Sequence, residues 1–170
     1  MDKTQLEQYL SNSFKFQYNE SQNMGSLVVS IKGCLDMFKN VRDEKHKEYI
    51  ISYVCKCIDS ALVLTKENNK NNADMQENPT IVNFINLKGV VMSDLTKNVQ
   101  LFIRKIIKHA QEKYFDIMVN TYLYNPPIFV KIAYGLFYPF IDPDTRRKIS
   151  IVKQKNNKKQ IIGMDDFCKE

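Results

Sequence analysis

The sequence predicts an α/β fold: a largely parallel sheet with helices packed on it. Three observations carry this reading. Segments of strand character alternate with segments of helical periodicity from Ser26 to Val152. Two of the helical segments, Lys47 to Thr65 and Ser93 to Lys113, gather their apolar residues at three/four spacing on one face, and such a face needs a sheet or another helix to cover it. Between them, Thr80-Ile-Val-Asn-Phe-Ile-Asn86 is apolar on both faces, as in the interior of an α/β sheet.

The elements follow in order. Asp2 to Asn12 is a short polar helix with Leu6, Tyr9 and Leu10 at helical spacing. Phe14 to Tyr18 alternates like a strand, Asn19 to Gly25 reads as a turn, and Ser26 to Ile31 is a second strand rich in β-branched residues. The two strands form a hairpin. Gly33 to Val41 is expected as a connection, with Asp43 capping the helix that follows. That helix turns Ile50, Val54, Cys57, Ile58, Ala61 and Leu62 inward. Residues 66–79, rich in Asn and nearly free of apolar side chains, are expected to form a mobile loop within the domain. After the central strand, Gly89 turns the chain and Ser93 caps a long helix. Asp116 to Tyr124 is the next strand, and Ile149 to Val152 the last.

Length and composition bound the function. The 170 residues suffice for one domain with a real core, and the whole chain is taken as one. With 44% hydrophobic and 26% charged residues the class is soluble and globular. No apolar region follows the start, so neither a secretory signal nor a membrane-spanning helix is expected. Cys34, Cys55, Cys57 and Cys168 lack metal-ligand spacing and read as reduced thiols of a cytoplasmic protein. Net charge is +6 and the pI about 9.0, which suits nucleic acid or an anionic membrane. No nucleic-acid signature accompanies the charge, so the membrane surface is the expected partner. No phosphate-cradling glycine loop, nucleophile elbow or zinc-binding His pair is present. Asp142 and Asp144 flank Pro143 in what reads as a turn. Neither an enzyme nor a cofactor or metal is expected, and the protein is taken as a monomer.

The most unusual stretch is 125–149. Pro126 and Pro127 allow a helix to start just after them. From Ile128 to Ile141 nearly every side chain is apolar, yet the run is too short to span a bilayer, which takes roughly 20 residues. Such a helix is buried on both faces, or has protein on one side and lipid on the other. Pro139 breaks it, and Asp142-Pro-Asp-Thr145 leads into Arg146, Arg147 and Lys148. Further basic residues, Lys153, Lys155, Lys158 and Lys159, read as a solvated tail.

This stretch resembles the CRAL-TRIO lipid-binding domain, and more narrowly the phosphatidylinositol/phosphatidylcholine transfer proteins of that family. The likeness rests on Asn125, Pro127, Phe137, Pro139, Phe140, Asp142, Pro143, Thr145, Lys148 and Ile149, and on Ile85-Asn-Leu-Lys-Gly89, similar to the family's D-L-K-G strand motif with Asn86 in place of Asp. It implies a sheet floor, helices on one face and a lipid gate helix over an apolar pocket. It further implies a non-catalytic protein at cytoplasmic membrane surfaces that binds and transfers or presents one phospholipid, phosphatidylinositol above others. By position, Asp116 and Lys148 fall where the family holds the head group, with Asn83 on the central strand beside them. Ile128, Phe129, Ile132, Ala133, Leu136, Phe137 and Phe140 make the gate and acyl pocket, and Arg146 and Arg147 dock on anionic lipid. The chain departs from the family at several points. Asp116 stands where Glu is usual, Ile81 and Asn83 replace hydroxyl residues, and the family's preceding helical domain and Gly-Gly ending are missing. Two alternatives stay open: a degenerate lipid domain that recruits or regulates a partner at membranes, and a carrier of a neutral isoprenoid or sterol-like lipid.

Overall fold

The computed structural model describes residues 3–41, 43–114, 116–155 and 158–169. Among the described residues eight α-helices and six strands follow in order: α1 Lys3–Ser13, β1 Phe14–Asn19, β2 Met24–Ser30, α2 Ile31–Asn40, α3 Glu44–Asn68, α4 Ala73–Glu77, β3 Ile81–Asn86, α5 Lys97–Lys113, β4 Met118–Tyr124, α6 Val130–Phe137, α7 Pro143–Arg147, β5 Ile149–Lys155, β6 Lys158–Gly163 and α8 Met164–Lys169. Asp2, the expected start of the first helix, lies outside the described residues, as do the side chains of Lys155 and Lys158.

The sheet runs in sequence order, β1 to β6. β1 and β2 form the expected antiparallel hairpin, β2 through β5 are parallel, and β6 returns antiparallel along β5. Parallel neighbours need crossovers, and crossovers are right-handed. When strand order never reverses, each crossover falls on the same side, so the helices share one face. The cores show this. The main cluster joins Leu6 and Leu10 of α1, Leu35 and Phe38 of α2, Ile50, Val54 and Ile58 of α3, and Val99 and Phe102 of α5 to Phe14, Leu27, Val29 and Ile81 of the sheet. A smaller cluster joins Val130 of α6, Ile149 and Ile151 of β5 and Met164 of α8, with Leu123 and Tyr134 against it. These strand residues alternate and point to one side. The other side carries Phe84, with its ring 5.6 Å from Tyr122 and 6.0 Å from Tyr124.

Several elements differ from expectation for identifiable reasons. The connection at 33–41 is helix α2, with Cys34, Leu35, Met37 and Phe38 buried. Gly33 marks a close approach there: a Cβ would lie 2.4 Å from Ser13 Oγ. The cap of α5 is Thr96, whose Oγ1 accepts from Val99 N, because Met92–Asp94 forms a separate 3-10 turn. Most of the 66–79 stretch is helical. It carries the last turn of α3 and then α4, and its polar groups bond locally, with Gln76 Nε2 donating to Lys66 O and Asn69 O. The basic tail is the hairpin of β5 and β6, followed by α8. The apolar run gives only two turns of helix before Tyr138–Phe140 tightens into a 3-10 turn at Pro139.

Candidate functional site

The site lies where the N-terminal end of β4 meets the loop entering β5. Asp116 precedes β4 with φ +61°, a left-handed conformation that Asp tolerates better than most residues. Lys148 follows α7. This one-turn helix is capped by Asp142, whose Oδ1 accepts from Asp144 N at 3.0 Å and Thr145 N at 2.9 Å. Burial pushes the Asp142 carboxyl up, but the Thr145 hydroxyl and the amides of Thr145 and Asp144 outweigh it and hold the group below the usual range. The cap therefore stays ionised and fixes the turn that delivers Lys148. Lys148 Nζ reaches Asp116 Oδ1 at 3.0 Å, with side chains 29% and 62% exposed. The structure thus brings the predicted pair together. Beside it is a crevice of about 20 Å³, lined by Gln111, Met118, Asp142 and Thr145 as well as the pair.

Asn83 lies deeper, on β3, buried and opposite Thr121 of β4. A register shift between Ile81 and Val82 pairs Ile81 with Met118 and Val82 with Asn120. Val119 is left over, so Met118 and Thr121 share the helix-covered face with Asn83. Strict alternation would have put them on opposite faces. Asn83 Nδ2 contacts the Met118 sulfur and lies 3.4 Å from Thr121 Oγ1.

The apolar run seats only part of its surface. Val130, absent from the expected pocket set, is its one buried helical residue. Phe129 packs against the main core. Ala133, Leu136 and Phe137 are half-buried, Ile132 is exposed, and Ile128 is fully exposed. Phe140 is exposed with its ring 4.1 Å from the Arg104 guanidinium. Beneath this helix Val130 joins Ile149, Ile151 and Met164 in the smaller core cluster, with Tyr134 and Ile141 packed against it. A separate cleft of about 660 Å³ opens near α1 and α2, lined by Gln5, Gln8, Tyr9, Asn12 and Asn40, far from these groups in sequence and polar in character.

Two α5 residues that sequence reading missed hold the far end of the run. Arg104 Nη2 donates to Leu136 O at 3.3 Å. Gln111 donates to Phe140 O at 3.2 Å and accepts from Asp142 N at 3.0 Å. Of the docking pair, Arg146 lies 4.0 Å over the Tyr138 ring and Arg147 is exposed and paired with Asp144. Among the described residues no group of three or more His, Cys, Asp or Glu is placed to hold a metal ion, and no helix is long and apolar enough to cross a membrane.

A one-sided parallel α/β sheet closed by an apolar helix defines the class. The chain belongs to the CRAL/TRIO domain family, which its sequence matches over residues 12–169; the family is one of lipid-binding domains. Among solved structures, the crystal structure of Sfh5 is similar in fold, with a TM-score of 0.65 at 16% identity over 84% of this chain. The match covers 47% of the Sfh5 chain, so this chain spans about half of that protein's length. No curated protein matches the sequence significantly.

Proposed function

We propose that the protein binds a single phospholipid without chemically altering it, phosphatidylinositol above others, and transfers or presents it at cytoplasmic membrane surfaces. Family membership supports lipid binding in general. The observation that carries the finer reading is the Asp116–Lys148 pair at 3.0 Å beside the crevice at the foot of the apolar run. A phosphodiester takes an ammonium, and inositol hydroxyls donate to a carboxylate. In the lipid-bound state Lys148 turns from Asp116 to the phosphate while Asp116 accepts from the ring. The run over 128–140 swings to admit acyl chains, each buried CH₂ contributing about 0.8 kcal/mol, so the pocket has to match most of what the bilayer offers.

The test is transfer between liposomes. Lys148→Ala removes a charge-assisted contact worth about 1.5–3 kcal/mol, so phosphatidylinositol affinity should fall roughly ten- to a hundredfold. Uptake of diacylglycerol with the same chains, which offers no phosphate, should stay unchanged. Equal loss of both makes Lys148 structural; loss of neither removes it from the head-group site.

One observation favours a second reading, a partner-recruiting module. The run packs into the smaller core cluster through Val130, beside Ile149, Ile151 and Met164, while Ile128 and Ile132 are exposed. Mass spectrometry of lipid co-purifying with the protein separates the two: stoichiometric lipid supports the carrier, and its absence supports the module.

A further inference from the structure

The second face of the sheet lies away from the helices. Paired residues of neighbouring strands share a face, and alternation assigns the rest. Phe84, Tyr122 and Tyr124 therefore stand on the side away from the helix-covered core, with Val82 on β3, Val152 on β5 and Ile161 on β6. Val82 is 1% exposed and Val152 8%, yet neither belongs to a core cluster under the helices. The Phe84 ring lies 5.6 Å from Tyr122 and 6.0 Å from Tyr124, so the three rings make one ridge over β3 and β4. All three are half-buried, and Ile161 is 59% exposed. Strand β3 is thus apolar on both faces, and parallel strands of that kind are ordinarily covered on both sides. Here the ridge has no such layer among the described residues.

The charge on this face has one sign. Among its described positions none is Asp or Glu, although the chain holds 19. The charged residues there are Lys15 on β1 and Lys159 on β6, both exposed and at opposite edges of the sheet. Strands lie about 4.8 Å apart, so each lysine stands two strands, about 10 Å, from the aromatic ridge. Lys15 is in the row of Phe84 and Tyr122, and Lys159 is one same-face position past the row of Tyr124. Along the strands that offset is about 13 Å, or two to three helical turns. An α-helix with its side chains is about 10–12 Å across. One laid along β3 and β4 buries an apolar stripe on the ridge and brings its two flanks towards the two lysines. We propose that this face is a protein-docking surface whose partner is an amphipathic helix with carboxylates flanking its apolar stripe. The inference goes beyond the lipid-binding reading, whose residues lie on the helix side and at the strand ends. The net charge of +6 draws an acidic segment in the same direction. Two lysines suit such a helix better than a nucleic acid, which binds through many neutralised phosphates. Asn86, Asn120 and Ser150, set among the rings on this face, suit a contact with a polar rim better than insertion into lipid.

The probe is a synthetic helical peptide of about 18 residues, a leucine stripe flanked by glutamates, followed by fluorescence anisotropy; the same stripe flanked by lysines is its control. The acidic peptide should bind the wild type about tenfold or more tighter than the basic one. Lys15→Glu combined with Lys159→Glu should weaken the acidic peptide about tenfold with the melting temperature unchanged, since both side chains are exposed. Lys97→Glu combined with Lys108→Glu makes the same change in net charge on exposed positions of α5 and should leave binding near the wild-type value. Phe84→Thr keeps a strand-forming residue and removes the middle of the ridge, so it should abolish binding; if it folds poorly, the lysine pairs still decide. Equal binding of the two peptides, no binding of the acidic one, or an equal loss in the two lysine pairs overturns the proposal. So does preferential binding of phosphatidylserine vesicles or of a single-stranded oligonucleotide that Phe84→Thr removes, which reassigns the face to lipid or to nucleic acid.

Discussion

At the scale of single residues, Asp94 is a buried charge that contributes to stability. Its carboxylate is 1% exposed at the end of the 3-10 turn after β3. Val91 N donates to it at 2.9 Å, and Lys32 and Lys39 of α2 both reach it. Burial alone would raise its pKa, but the lysines and the amide outweigh burial and lower it to about 2. A carboxylate depressed on folding stabilises fully above its unfolded value and loses that contribution as pH falls through the folded one. The window therefore runs from about 3.8 down to about 2, and the contribution at neutral pH is about 2 kcal/mol. Asp94→Asn should lower the unfolding free energy by about that much at pH 7, with the gap to wild type closing between pH 4 and pH 2 in urea titrations. A gap independent of pH would show that shape, not charge, matters at this position. Residue-level legibility was uneven in the same way throughout. Lys148 and Asp116, 32 residues apart, were joined through a resemblance and not through spacing. Arg104 and Gln111 were invisible, since what they hold are backbone carbonyls of a segment about 30 positions away.

Elements were easier to read where periodicity spoke and harder where a glycine or a bulge interrupted it. The alternation from β2 to β5 and the core face of α3 are plain in the sequence, because hydrophobic spacing fixes them directly. Helix α2 was hidden by Gly33, which reads as punctuation but serves contact with Ser13. The bulge in β4 was hidden because period-two alternation cannot announce its own interruption. Glycines in this chain therefore have opposite meanings, and substitution separates them. Gly25 of β2 lies against α3: its N–H donates to Thr65 Oγ1 at 2.7 Å, and a Cβ would sit 1.8 Å from Ala61 O. Backbone cannot yield that far, so Gly25→Ala should cost about 3 kcal/mol or more. Gly135, in α6, has nothing within 4 Å of a built Cβ. Gly135→Ala should stabilise by about 0.5–1 kcal/mol through helix propensity. Denaturant unfolding of the two variants checks both signs. If Gly25→Ala were neutral, the close packing of β2 on α3 would be wrong.

Over the whole molecule, the proposed encounter with a bilayer would draw on the surplus of six positive charges and on the outward apolar residues of the run. Ile128 and Ile132 are exposed, as are Tyr138 and Phe140, an amphipathic edge of the kind that enters the lipid interface. Arg147 projects from the adjoining turn, and its ion pair with Asp144 is worth little because both side chains are more than half exposed. Arg146 is committed to the Tyr138 ring, so it supports that aromatic more than it meets lipid. Each well-placed cation contributes about 1 kcal/mol at an anionic surface, and exposed charges are screened over about 10 Å at 0.1 M salt. Binding to liposomes should therefore rise with anionic lipid content and weaken as salt is added. Arg147→Glu reverses one charge and should weaken binding roughly tenfold at low salt, with its melting temperature unchanged. Ile132→Ser should weaken binding at every salt concentration, because the term it removes is apolar and not screened. Sedimentation of the three proteins with vesicles of graded phosphatidylserine content distinguishes the contributions. Binding that ignores both salt and lipid charge, with Arg147→Glu equal to wild type, would leave the apolar edge as the whole of the membrane contact and remove the basic turn from it.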